Sequence, residues 1–183
     1  DAPLVARKAL PGQFIILRVS EDGERIPLTV AGYDREKGRV DIIFQVVGAT
    51  TMKLNAKQKG DAICDFVGPL GRATETGGYR RVAVVGGGVG CAIAYPVAKG
   101  LHDLGCEVTT IAGFRNKDLV ILEKEFDEAS DRFFRMSDDG TWGEKGVVTV
   151  PLKEMLEKGE RFDTVIAIGP LVMMKFVTLE TAK

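Results

Sequence analysis

The sequence predicts an α/β chain with an all-β portion in front: an incomplete N-terminal antiparallel barrel, then a three-layer domain on a parallel sheet. Three observations predict it. Residues 1–77 carry short apolar runs at close spacing, separated by glycine turns, the pattern of a small antiparallel barrel. From Arg81 onward strand and helix alternate, which argues a parallel sheet covered on both faces. Between the two, residues 72–80 (RATETGGYR) are polar and glycine-containing. The boundary falls there, giving domains at 1–77 and 78–183.

The totals bound the function. The chain has 183 residues, 45% hydrophobic and 28% charged, so it folds rather than staying disordered. A net charge of −1 provides no field to gather nucleic acid or an anionic membrane. No stretch is long enough to span a bilayer, and no signal peptide opens the chain. Cys64, Cys91 and Cys106 are odd in number and far apart, unlike a disulfide framework or a CxxC metal site. Reduced thiols in a cytoplasmic protein are the expectation. The single His102 follows Leu101 on a helix, a structural position rather than a catalytic one. The chain starts without Met and stops inside a helical pattern, so trimming at both ends is expected.

In the first domain, Gln13–Val19 reads as a strand after the Pro11-Gly12 turn, Arg25–Ala31 as a second and Arg39–Val47 as a third. Ala62–Val67 is a fourth, ended by Gly68-Pro69-Leu70-Gly71. Thr50–Lys57 is a short helical piece. Four strands close a barrel poorly, so a first strand is expected to be missing.

In the second domain, Val82–Gly86 is a buried strand, followed by glycines and a helix to about Leu104. Glu107–Ala112 is the next strand, and Asp118–Ala129 a helix with Leu119, Leu122, Glu123 and Phe126 at helical spacing. Arg132–Met136 is a strand, Val150–Lys158 a helix, Thr164–Ile168 a strand, and Leu171 onward a last helix.

Strand, glycine turn and helix bring backbone N–H groups to a phosphate. Gly86, Gly87, Gly88 and Gly90 stand at that turn. In the G-x-G-x-x-G frame Gly86 and Gly88 fit, but Cys91 takes the third place. The next strand ends in Gly113-Phe114-Arg115 with no carboxylate for a ribose. A loose nucleotide site, or a plain α/β turn, fits these residues.

Other segments stay open between two readings. Arg25-Ile26-Pro27-Leu28-Thr29 places Pro inside a strand, which marks an edge or an unpaired backbone. Such backbone is free for a flat heterocycle, while Arg25 is suited to clamp a phosphate. Gly48-Ala49-Thr50-Thr51 either caps a helix or receives an anion at its N-terminus. Loops 137–143, with Asp138 and Gly140, and 169–174, with Gly169 and Met173, follow parallel strands, where such sheets bind ligands. Solvated turn and helix core are the plain alternatives. Arg115 serves either an adenosine ribose or phosphate, or a surface ion pair. With one His and no Ser/His/Asp, Cys/His or paired-carboxylate set, cofactor-borne chemistry is expected.

Over nearly its whole length the chain resembles the ferredoxin–NADP reductase superfamily. Within it, the chain is similar to the electron-transfer subunits of dihydroorotate dehydrogenase B and the alpha subunits of NADH-dependent ferredoxin–NADP oxidoreductase (sulfide dehydrogenase). PGQFIILRV, RIPLTVAGYD, FQVVGATTMKL, VGPLG, VGGGVG, DDGTWGEKG and AIGPLVMMK carry the resemblance.

The resemblance implies a flavin-binding barrel followed by an NAD(P)-binding domain. Arg25, Pro27, Leu28 and Thr29 would bind FAD, with Thr29 near the flavin ring. Gly48, Thr50 and Thr51 would hold its pyrophosphate. Gly87, Gly88 and Gly90 would face the pyridine nucleotide, with Asp138, Gly140, Gly169 and Met173 nearby. The implied function is an electron-transfer flavoprotein subunit. It takes hydride from NAD(P)H and passes electrons to a partner subunit or iron–sulfur centre. A non-catalytic nucleotide-binding subunit is the alternative. A transferase using only the glycine loop is disfavoured by the absent P-loop lysine. The four-Cys [2Fe–2S] segment of the family follows the last helix and is absent from this sequence. Thr178 stands where relatives often carry Cys, and Ile93 where they often carry Pro.

Overall fold

The structure, a computed structural model, describes residues 1–182. It divides into two compact units, Asp1–Thr74 and Glu75–Lys183. The class is the expected one: an antiparallel sheet in the first unit and a parallel, helix-covered sheet in the second.

The first unit runs α1 (Pro3–Ala6), β1 (Phe14–Arg18), β2 (Arg25–Asp34), β3 (Arg39–Ile42), α2 (Ala49–Asn55) and β4 (Asp65–Leu70). The sheet order is β3-β2-β1-β4, antiparallel at every pairing. Alternation on β1 sends Ile15 and Leu17 fully into the core, where Val19, Val30 and Leu54 join them.

Three strands differ in extent from the expectation. β2 continues through Gly32-Tyr33-Asp34. The turn is made later, where Asp34 accepts the Lys37 N–H at 2.9 Å and Gly38 takes φ +65°. The third run pairs only as far as Ile42. Phe44 still packs on the core, but Val46 and Val47 beyond it are exposed and add no buried face. β4 starts at Asp65 and passes through Gly68 and Pro69. It tolerates Pro because it is an edge strand, and an irregular register between Phe14 and Ile16 takes up the change. Gly68 lies directly over Ile15, where an added Cβ would come within 2.7 Å of Ile15 Cγ2.

The second unit runs β5 (Arg81–Gly87), a 3-10 turn (Gly88–Gly90), α3 (Cys91–Asp103), β6 (Glu107–Phe114), a 3-10 turn (Lys117–Leu119), α4 (Glu123–Glu128), β7 (Arg132–Ser137), β8 (Glu144–Lys145), α5 (Thr149–Glu157), β9 (Thr164–Ile168) and α6 (Leu171–Thr181). All pairings are parallel, in the order β8-β7-β6-β5-β9. β5 is buried along nearly its whole length. Val82 and Val84 pack with Ala94, Val97 and Leu101 of α3. Ala83 and Val85 face the other way, toward Leu152, Met155 and Val177 of α5 and α6. The alternation of one strand therefore builds both helical layers.

The helix expected over 118–129 is not continuous. Val120, Ile121 and Leu122 all pack against the buried cluster. A helix cannot turn three consecutive side chains inward, so the chain stays non-helical there. It restarts after Leu122, which takes φ +59°. β8, two exposed residues long, carries no alternation by which to find it.

Asp163 fastens β9 to β5. Its carboxylate accepts the backbone N–H groups of Arg80 and Arg81, at 2.6 and 2.9 Å. The Arg81 and Arg80 N–H bonds hold its carboxyl below the usual range. A depressed folded value means the stabilisation is present above the unfolded carboxylate pKa, about 3.9. It is lost as pH falls through the folded value. Melting wild type and Asp163→Asn across pH should show the wild type more stable at pH 7, with the gap narrowing in acid.

Candidate functional site

In the first unit the candidate residues lie along the first half of β2 and at the start of α2. Parity on β2 decides what each one offers. Val30 N–H donates to Gln13 C=O at 3.0 Å, and the β1 register pairs Leu28 with Ile15 and Pro27 with Ile16. Hydrogen-bonded and non-bonded pairs alternate in an antiparallel ladder. Leu28 therefore turns its N–H and C=O to β1, while Pro27 and Thr29 turn theirs outward. β3 pairs β2 only at Val30 and beyond, so no strand covers that outward edge. Pro27, which has no N–H, sits where none is needed.

The side chains alternate as well. Arg25, Pro27 and Thr29 share the outer face, while Ile26 and Leu28 pack on the core. Leu28 is thus the one residue of its group directed away from the open edge, by both side chain and backbone.

At α2 the first helical bond runs from Met52 N–H to Gly48 C=O at 2.9 Å. The N–H groups of Ala49, Thr50 and Thr51 precede it, without an acceptor inside the helix. Thr51 is the capping residue: its hydroxyl accepts the Val47 and Gly48 N–H groups and donates to Gly48 C=O, each at 3.0 Å. Gly48 has open space where a Cβ would stand. Thr50 Oγ1 bonds Glu24 Oε2 at 3.3 Å, which ties the start of α2 to the residue before β2. The two groups of candidates are therefore adjacent.

In the second unit the candidates collect at the carboxyl edge of the parallel sheet. The register aligns Gly87 with Gly113, Phe114 with Ser137 and Gly86 with Ile168. Arg115, Asp138 and Gly169 each follow one of these strand ends. β5 leads through α3 to β6 on one side, and its other neighbour is β9, so the connections diverge at the end of β5. That divergence is where such sheets receive ligands.

The glycines there have different reasons. An added Cβ on Gly90 would come within 2.6 Å of the Ile168 carbonyl oxygen and 2.8 Å of Gly169 Cα. One on Gly87 would meet Met173 Sδ at 2.5 Å, and one on Gly169 would meet Met173 Cε at 2.9 Å. These three, with Met173, are packing contacts between the loops after β5 and β9. Gly88 takes φ +55° and has nothing within 4 Å of a Cβ position. Of the glycines implied for the nucleotide, Gly88 combines the left-handed conformation with an open face. Cys91 fills the place of the third fingerprint glycine, with Sγ beside Gly86. Burial pushes its thiol up to about 12, so it is an inert packing group.

Asp138 is exposed, and its N–H donates to Phe114 C=O at 3.1 Å. Gly140 takes φ +81° in a turn where Asp139 accepts from the Thr141 N–H and hydroxyl, at 2.9 and 2.7 Å. Trp142 is buried against Phe114 and Phe133 and anchors the end of this loop, while residues 138–141 remain exposed. Arg115 is exposed, with no ion pair among the described residues.

Asp65 and Glu24, which bond Arg25 and Thr50, are not evident from the sequence. Their signal lies in cross-strand register, which a single strand does not display. The three cysteines are dispersed, and no cluster of three or more His, Cys, Asp or Glu suited to a metal forms among the described residues. No described helix is long and apolar enough to cross a membrane.

No protein-family model matches the chain. Among curated proteins it is 33% identical over 187 residues to the dihydroorotate dehydrogenase B (NAD(+)) electron transfer subunit of Desulforamulus reducens, covering 100% of this chain and 71% of that one. The chain belongs to the dihydroorotate dehydrogenase B electron transfer subunit family. A homolog of that subunit from Thermotoga maritima is 47% identical over 179 residues, covering 98% of this chain and 63% of the relative. A solved structure of an NADH-dependent reduced ferredoxin–NADP oxidoreductase, described for flavin-based electron bifurcation, superposes with TM-score 0.91 at 43% identity. It covers 100% of this chain and 65% of that one. The chain thus spans somewhat under two thirds of these last two family relatives. The cytochrome b5 reductase domain of Ulva prolifera nitrate reductase, 17% identical with TM-score 0.70, shares the fold.

The glycine assignments make a stability prediction. Gly90→Ala drives a methyl into backbone and should cost about 1–3 kcal/mol as an overpacked site. Gly88→Ala should cost only about 1 kcal/mol, for its left-handed backbone. Denaturant melts of both variants check the order.

Proposed function

We propose that the chain is the flavin- and pyridine-nucleotide-binding part of an electron-transfer subunit. In this reading it takes hydride from NAD(P)H onto FAD and passes electrons to a partner subunit or an iron–sulfur centre outside these residues. The observation that carries the reading is the outward, uncovered backbone of Pro27 and Thr29 beside the free N–H groups opening α2. Family membership and the reductase relatives support it.

The residues present fit the cofactors. Thr29, with its N–H turned outward, is placed to hold the edge of a flat heterocycle. Pro27, two residues earlier, shares its face of β2. The N–H groups of Ala49, Thr50 and Thr51, with Gly48 leaving the approach open, suit a pyrophosphate. Arg25 adds a cation on the same face of β2. In the second unit Gly88 opens the turn to a second nucleotide, with Gly87, Gly90, Gly169 and Met173 holding that turn in shape. Arg115 and Asp138 follow the ends of β6 and β7 on the same sheet edge, with Gly140 in the loop after Asp138. NADH is the proposed donor, supported by the relatives' names, and a cytoplasmic setting belongs to the same proposal.

FAD, when bound, supplies the two-electron acceptance and one-electron release that no side chain here offers. The chain's own task is to bind and orient. Its shifted titratable groups are surface ion pairs and turns, or packing groups such as the buried Cys91 and the half-buried Tyr95, and none is poised as a general base. Positioning two reactants against each other contributes about 7–11 kcal/mol in favourable cases.

A visible spectrum tests the proposal. Protein incubated with FAD and desalted should be yellow, and its flavin absorbance should bleach when NADH is added without oxygen. Bound flavin that NADH fails to reduce points to the non-catalytic nucleotide-binding alternative, and protein that takes up no flavin contradicts the proposal.

A further inference from the structure

Across three strands of the first unit runs a row of charges. The register sets Arg18 of β1 directly opposite Arg25 of β2 on one side and Asp65 of β4 on the other. One carboxylate oxygen serves both cations: Asp65 Oδ2 lies 2.6 Å from Arg18 Nε and 2.9 Å from Arg25 Nη2. Two like charges directly opposite on neighbouring strands repel each other, so the single carboxylate holds the row together.

The two arginines are held unequally. Arg18 is mostly covered, with 22% of its side chain exposed, and its Nη1 also donates to Glu21 C=O at 2.7 Å. Arg25 is 61% exposed, and Asp65 is the one hydrogen-bond partner of its side chain among the described residues. Glu21 thus fixes Arg18, Arg18 fixes Asp65, and Asp65 fixes Arg25. The Arg18 hydrogen bond also keeps the Asp65 carboxyl below the usual range, so the charge persists well into acid. The row carries one positive charge in excess, and Arg25 is its exposed end. It opens β2 directly after Glu24, which bonds Thr50 at the start of α2.

We propose that Asp65 is a positioning residue for a phosphate-bearing flavin nucleotide: it holds the Arg25 guanidinium in place, and Arg25 meets the phosphate. The inference rests on the flavin reading above. One Nη2 bond commits a single donor of the fork and leaves the others for the ligand. Two effects of Asp65 oppose each other. Its negative charge repels a phosphate, and its hydrogen bond removes the freedom of a long, rotamer-rich side chain. The repulsion is offset within the row, where two guanidiniums outweigh the one carboxylate, whereas the ordering of Arg25 is complete before the ligand arrives. Positioning therefore wins, and loss of Asp65 weakens phosphate-dependent binding although the site becomes more positive.

The test compares FAD with riboflavin, which lacks phosphate, by flavin fluorescence on the 183-residue chain. Asp65→Asn should weaken FAD binding roughly tenfold, the size of one lost charge-assisted hydrogen bond, and leave riboflavin binding unchanged. Arg25→Ala should weaken FAD similarly, and adding Asp65→Asn to it should cost nothing further. Asp65→Glu, which keeps the carboxylate, should bind FAD more tightly than Asp65→Asn, and against Arg25→Ala it serves if the Asn variant does not fold. Asp65→Asn protein that binds FAD as tightly as wild type, or tighter, overturns the inference alone. Equal weakening of FAD and riboflavin overturns it in favour of a purely structural Asp65. Wild-type protein that binds neither flavin overturns the flavin reading and the inference with it.

Discussion

Backbone N–H groups that the ladders and helices leave over are the constraint on which both units depend. A main-chain donor without an acceptor is costly when buried, so a fold places such groups where water or a ligand reaches them. In the first unit the parity of the β1–β2 ladder turns Thr29 outward. The late start of the β2–β3 pairing leaves that edge uncovered. The opening turn of α2 adds three more donors nearby. In the second unit the turn after β5 does the same at Gly88.

Glycine serves these places in two distinct ways. At Gly90 and Gly169 backbone meets backbone, and a side chain has nowhere to go. This contact holds the loop after β9 against the loop after β5 and so fixes the shape of the turn. At Gly88 the requirement is conformational, and the face it leaves bare is open. Cys91, standing where the dinucleotide fingerprint has its third glycine, still lets α3 pack close because it lies over Gly86. The departure from the fingerprint is therefore accommodated inside the core.

Much of this was legible in the sequence because it is local. Strand β5, its glycine turn and α3 follow from a buried apolar run ended by glycine. The alternation of strand and helix after Arg81 fixed the class of the second unit. The oddity of Pro27 inside a strand pointed to an uncovered edge. What was not legible depends on partners distant along the chain. Leu28 looked equivalent to Thr29 until the ladder parity separated them. Asp65 is 40 positions from Arg25, and only the strand order brings them together. The break in the helix at Leu122 was hidden because Leu119, Leu122 and Phe126 keep helical spacing, while the burial of Val120 and Ile121 as well is a tertiary fact.

The most direct test of this account is amide hydrogen exchange on the protein with and without each nucleotide. With FAD, exchange should slow at Thr29 and at Ala49, Thr50 and Thr51. With NADH, it should slow across Gly87–Gly90. Exchange at those amides that is unchanged by either nucleotide, with protection appearing elsewhere, would contradict it.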